Sequence, residues 1–354
     1  MATLTPPTEP SSALASQSRR GGLEGVGRLG RLRRGLKPLA EAQGLSKWLL
    51  WVGVALVLFF LVLAVFAPAI APYGFDQYTA DGQRFPKQGG PSAEHWFGTT
   101  VQSTDVLSRV IYGARTAVEV VVLAVIFSLC VGVPLGLLSG YFGGWLDRTL
   151  VLITDALFAF PYLLLAIVIA FLLSNAVGGG VMTAALAITV VYVPQYFRVV
   201  RNSTLSAREA TYVEAARALG ARPRTIIGKY IFGNVIQSVP VIGTLNAADS
   251  ILTLAGLGFL GYGIQPTDAA EWGYDLQRAI ADAGAGIWWT GLYPGLAIVF
   301  FVVGLTLVGE GLNDTLNPTL RRRRLRPVRI PDREEPPGDA PGPHDASTPE
   351  GDRR

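Results

Sequence analysis

The residues whose types and spacing suit recognition chemistry lie in TYVEAARALGARPRTIIGKY, positions 211–230. Glu214 and Arg217 are three apart, a spacing that lets side chains pair on a helix, and Arg217, Arg222 and Arg224 offer charge-assisted hydrogen bonds to a partner. Tyr212, Val213, Ala216 and Leu219 recur as one helical stripe. Ala215, Ala216, Ala218 and Gly220 are small enough to let another surface come close. Ser206 followed by Glu209 fits a capping box that would start this helix. Gly220 would end it in a left-handed conformation, and Pro223 suits the first turn of the next helix. The pattern predicts two short helices joined by a glycine turn, which either dock into a partner's groove or lie on a lipid surface.

Catalytic chemistry has no comparable footing. His95, His344 and Cys130 form neither a metal-binding set nor a nucleophile with its base. Cys130 stands alone, so no intrachain disulfide forms, and it reads as a small core residue. No G-x-x-x-x-G-K-[ST] phosphate loop occurs, so any nucleotide energy must arrive from a partner. Asp155, Asn246, Asp249 and Ser250 lie inside long apolar runs, where polar groups are costly and belong against protein or water. For Asp155 and Asp249 one reading is a carboxylate hydrogen-bonded to a neighbouring helix, the other a proton or ion relay. No lysine or arginine within the runs stands ready to pair with either.

The elements that must position these groups are membrane spans. Half of the residues are hydrophobic and 16% are charged, and six runs approach the roughly 20 apolar residues a bilayer crossing needs. They cover about 48–67, 117–138, 149–173, 181–197, 235–260 and 288–312. The fold class is therefore all-α, a polytopic six-helix membrane protein. Lysines and arginines cluster in alternate segments, which under the positive-inside rule puts 25 of the 30 in the cytoplasm together with both termini. The first run reads as an uncleaved signal anchor, although Ala69-Ile70-Ala71 resembles a cleavage site. Residues 1–46 and 323–354 lack an apolar period and read as disordered cytoplasmic tails flanking a six-helix transmembrane domain at 47–322. Arg321–Arg324 would meet anionic headgroups. Gly132 and Gly136 in the second run give a G-x-x-x-G spacing that packing explains, and the fifth run concentrates polar and glycine residues, as a segment inside a bundle or along a pathway would. The acidic loop 264–287, with Asp268, Glu271, Asp275 and Asp282, reads either as a solvated surface or as a contact for an external partner.

EAARALG, with Glu214, Ala215, Ala216 and Gly220, resembles the EAA loop of bacterial ABC-importer permeases, in which a coupling helix docks onto the ATP-hydrolysing subunit. Where that family continues Ile-Leu-Pro-Asn, this chain has Ile231-Phe232-Gly233-Asn234, and glycine also permits a break. HWFGTTVQSTDVLSRVIYGART (95–116), GYFGGWLDRTLVLITDALFAFP (140–161), LGFLGYGIQP (257–266), EWG (271–273), YPGLAIV and GEGLNDTLNP (within 293–318) are similar to segments of the C-type permease subunit of dipeptide/oligopeptide (and nickel) importers. In that family a Gly-Arg-Asp usually stands where Ser103-Thr104-Asp105 is found here. The resemblance implies a type I ABC-importer permease fold and a transporter subunit, not an enzyme, in the cytoplasmic membrane of a prokaryote. It implies a coupling loop at about 201–232 in which Glu214, Ala215, Ala216, Arg217, Gly220 and Arg222 meet the ATPase. It also implies a second homologous permease, two ATP-binding-cassette ATPase subunits holding ATP and Mg, and an extracytoplasmic solute-binding protein, with no cofactor in this chain and no nucleic acid. The solute would be a peptide, or alternatively nickel or another small solute. Two other classes are compatible with the spans: an ion-coupled secondary transporter, for which Asp155 and Asp249 would serve, and a membrane anchor without transport.

Overall fold

The computed structural model describes residues 45–316; both tails and Arg321–Arg324 fall outside them. The described residues form α1 (Leu45–Val65), the short α2 (Ala67–Ile70), α3 (Val106–Phe142), α4 (Gly144–Phe158), α5 (Tyr162–Val177), α6 (Gly180–Arg208) and α7 (Thr211–Ala218). Next come α8 (Pro223–Phe259), α9 (Trp272–Gly284) and α10 (Trp289–Leu316). Five helices are long and apolar enough to cross a membrane, and the bent pair α4 and α5 supplies a sixth crossing.

The expected third span is not one rod. Pro161 has no N–H to donate and forces its predecessor out of the helical region, and α4 meets α5 at 98°. The second span is far longer than its apolar run, because Asp105 caps it: its carboxylate accepts from the Ser108 amide at 2.8 Å and starts the helix eleven residues early. At the other end Gly143, with φ of 64°, stops α3. α8 shows no break at Gly233; a π turn at Ile226–Ile231 and a 3-10 turn at Ile236–Ser238 take its place.

Close helix approach follows from glycine. A Cβ on Gly132, Gly136 or Gly140 of α3 would stand 2.7–2.8 Å from Tyr196, Phe197 or Thr204 of α6, so these three residues let the backbones touch. This confirms the packing reading of the G-x-x-x-G pair and extends it by one turn. α1 seats on α10 in the same way, through Gly53 and Gly304. The main core runs through α3, α5, α6, α8 and α10. Cys130 lies outside it, exposed on α3, which corrects its reading as a core residue.

At the end of the bundle remote from residues 209–222, the chain between α2 and α3 forms a platform. A two-residue hairpin joins β1 (Thr79–Ala80) to β2 (Gln83–Arg84), with Asp81 and Gly82 both at positive φ as such a turn requires. This platform is fastened to α9 and α10. Phe97 stacks on Tyr293 with ring centroids 3.8 Å apart. Gln88 donates to Asp282 at 2.6 Å. Arg109 at the start of α3 donates to Asp275 at 2.8 Å, and both are buried. Glu271 is buried as the N-cap of α9 and accepts from the Gly273 and Tyr274 amides. The reading of 264–287 as a solvated acidic loop is therefore wrong for Glu271, Asp275 and Asp282, whose partners are supplied by distant segments or by the helix start they cap. Asp268 alone of the four is exposed.

Candidate functional site

The segment 209–222 forms a knob whose lower side is bolted to the bundle. α6 continues through Ser206 to Arg208, so the capping box does not form: Glu209 is the C-cap of α6 and pairs with Arg208 at 2.9 Å. The helix expected there begins at Thr211 after extended Ala210, with no side-chain cap. Continuation of a formed helix costs less than nucleating a new one, which is why α6 overruns the signal. The end of α7 follows expectation. The Gly220 amide bonds to the Arg217 carbonyl and the Ala221 amide to that of Ala216, a Schellman closure with Gly220 at φ of 78°. Arg222 then caps α8 and Pro223 occupies its first turn.

Val213 points inward into a second apolar cluster, with Val133 and Leu137 of α3, Val200 of α6 and Ile226, Ile231 and Val235 of α8, and Ala216 is buried as well. Three helices thus converge beneath α7. Polar contacts reinforce the junction. Arg208 donates to the carbonyls of Gly140 and Tyr141, each at 3.3 Å, which satisfies the frayed end of α3. Asp147 of α4 accepts two bonds from Arg201 of α6, at 2.5 and 2.7 Å, and one from Ser139 of α3. Asn234 donates to the Tyr212 hydroxyl at 2.5 Å.

The exposed side of the knob carries Glu214, Ala215, Ala218, Leu219, Gly220 and Arg222. Two expectations change here. Arg217 does not pair with Glu214 but sits over the Tyr141 ring, 5.5 Å from its centroid. The Tyr212–Leu219 stripe divides, since Leu219 is 88% exposed while Ala216 is covered. An exposed leucine among alanines, flanked by Glu214 and Arg222, is a surface shaped for a protein groove. The features that sequence reasoning passed over are the exposure of Leu219 and the Arg208, Arg201 and Asp147 contacts; the arginines at 198, 201 and 208 are the signal for those contacts.

The intramembrane candidates separate into three kinds. Asp155 is paired with Arg198 at 3.0 Å, both half exposed, and Arg198 also lies 4.3 Å over the Phe158 ring. The expectation that no arginine could reach Asp155 is therefore wrong: α6 runs on as a helix past its apolar stretch and carries Arg198 alongside α4. Asn246 and Ser250 are buried, with the Ser250 hydroxyl donating to the Asn246 carbonyl at 2.6 Å. Asp249, on the same helix, is exposed.

Comparison with known proteins places this arrangement. Residues 132–322 match the family described as binding-protein-dependent transport system inner membrane component. Residues 45–88 match the N-terminal TM domain of oligopeptide transport permease C. The chain is 37% identical over 273 residues to the dipeptide transport system permease protein DppC of Alkalihalophilus pseudofirmus, covering 76% of this chain and 86% of that one. It is 36% identical over 265 residues to the glutathione transport system permease protein GsiD of Pectobacterium atrosepticum, covering 75% of this chain and 85% of that one. A chain of the MetNI methionine ABC transporter in inward-facing conformations aligns with a TM-score of 0.49 and 19% identity, over 59% of this chain and 96% of that one. With a profile match over more than half its length and relatives aligned across most of theirs, the chain belongs to the binding-protein-dependent transport system inner membrane component family, as a C-type permease subunit of an ABC importer.

Proposed function

We propose that this permease carries peptides across the cytoplasmic membrane and that the exposed side of α7 receives the force of ATP hydrolysis. As a multi-pass inner-membrane permease it works with ATPase and solute-binding partners and has no ATPase site of its own. The stoichiometry we assign is one homologous second permease and two ATPase subunits, which hold ATP and Mg. Both termini and the knob face the cytoplasm, where the charge distribution puts 25 of the 30 basic residues. Peptides are favoured as solute because the relatives named for dipeptide and glutathione transport align across most of their length.

One observation carries the coupling role. Val213 packs in one cluster with the ends of α3, α6 and α8, so a push on Ala215, Ala218 and Leu219 is delivered to three helices together and not absorbed in a loop. Movement then takes the form of rigid-body rocking. Gly220→Pro tests this, because proline fixes φ near −65° where the turn needs 78°. The importer bearing it is expected to lose peptide uptake while the spans stay folded. Uptake at the normal rate would sink the coupling role. Glu214→Arg should in addition release the ATPase from the purified complex.

A further inference from the structure

The face of α8 that carries Asp249 does not suit lipid. Leu245, Asp249 and Leu252 are exposed at helical spacing, so a carboxylate interrupts an apolar stripe. Among the described residues its carboxylate has no hydrogen-bond or ion-pair partner, while its backbone carbonyl accepts from the Thr253 hydroxyl at 2.9 Å. At about 1.5 Å per residue, Asp249 lies about 15 Å from the helix end at Phe259, half the thickness of a bilayer core of about 30 Å. An ionisable group at that depth belongs beside water or protein.

The surroundings are built. Thr253 is fully buried and shares a hydrogen bond of 2.9 Å with Tyr192 of α6, which holds α6 against α8 at this level. The Tyr192 hydroxyl is within electrostatic reach of both Asp249 and Tyr162. Tyr162 opens α5 just after the 98° break, where the backbone of Ala159, Phe160 and Pro161 is exposed and non-helical. Irregular backbone at membrane depth is tolerated only where it lines water or protein. The carboxylate and the break are thus two separate marks of a surface that faces water or protein. A separate cavity, lined by Phe171 and Ser174 of α5, Thr183 of α6 and Tyr262 and Gln265 beyond the end of α8, lies nearer the end remote from α7.

We propose that Asp249 is the mid-membrane station for the protonated amino group of the transported solute. The inference rests on the peptide reading above: a free α-amino group has a pKa of about 7.7–8.0 and is cationic at neutral pH. A carboxylate without a partner of its own offers that ammonium a charge-assisted contact. The competing occupant is a lysine or arginine of the second permease.

The test uses the whole importer, purified with its partner subunits and reconstituted in vesicles with the binding protein, and measures ATP-driven uptake of a set of neutral dipeptides. Asp249→Asn, which keeps shape and removes charge, is expected to lower uptake at least tenfold with subunit composition unchanged, and Asp249→Glu to recover most of it. In a Cys130→Ser background, Asp249→Cys should react with a membrane-impermeant charged thiol reagent and be protected by dipeptide. Undiminished uptake with Asp249→Asn, loss of the second permease from that complex, or an unreactive cysteine would each overturn the assignment. Absence of dipeptide uptake by the unsubstituted importer would overturn the peptide reading and this inference with it.

Discussion

Ser103 is held at φ of 61°, a conformation disfavoured for residues with a Cβ, and its buried hydroxyl has no hydrogen-bond partner. Ser103→Gly should therefore stabilise the protein by about 1 kcal/mol, seen as a raised thermal midpoint in nanodiscs; an unchanged or lowered midpoint would show that the strain is relieved elsewhere. The resemblance implied a glycine at this place, but only the backbone angle shows what a serine there costs. Leu219 makes the opposite case. Its 88% exposure means that Leu219→Glu should change stability by less than about 0.5 kcal/mol while weakening capture of the ATPase subunit at least tenfold. Retained co-purification at wild-type yield would remove Leu219 from the docking surface. Residue types alone made Leu219 part of one helical stripe with Val213 and Ala216, because a period of 3.6 cannot say how early the Schellman turn lifts the last residue off the core.

Between elements, the largest contact joins α3 to α6, and glycine sets its distance. Gly136→Ala would bring a methyl within 2.8 Å of the Phe197 carbonyl, at a cost of about 1–3 kcal/mol in strain, measurable as earlier unfolding and weaker subunit yield. At the remote end, Asp275→Ala would leave the buried Arg109 without its counter-ion, which costs about 3–5 kcal/mol. Arg109→Met combined with Asp275→Leu should recover much of that loss. If the double substitution is no better than the single one, the pair contributes geometry and not only charge balance. Apolar runs made the helices legible, since a span advertises itself locally. Their true ends were less legible: Asp105 starts α3 well before its apolar stretch, and Ser206 and Glu209 imitate a cap inside a helix already under way. The pairing of Asp275 was invisible because its arginine lies 166 positions distant in the chain.

For the molecule as a whole, burial makes the platform end responsive to pH. Desolvation pushes the Glu271 carboxyl up to about 8 despite the two amides that favour its ionised form, and Asp275 is raised by burial as well, against the pull of Arg109. Because the native state keeps a proton that the unfolded chain has already released above about 4.5, stability is greatest at low pH. It should fall as pH rises from about 4.5 to about 8 and then level off. Thermal midpoints measured from pH 5 to pH 9 should decline, and Glu271→Gln should flatten the curve; a rising midpoint would contradict the assignment. The opposite end connects to the rest of the bundle through α8, one helix that runs from the knob to Phe259. Its π turn at Ile226–Ile231 is under-wound and its 3-10 turn at Ile236–Ser238 over-wound relative to an α-helix. The two deviations have opposite sense, so Phe232–Val235 is turned about the axis relative to both flanks. On the coupling proposed above, torque applied at the knob would first be taken up as winding in this short stretch, with α8 a torsion spring before it is a lever.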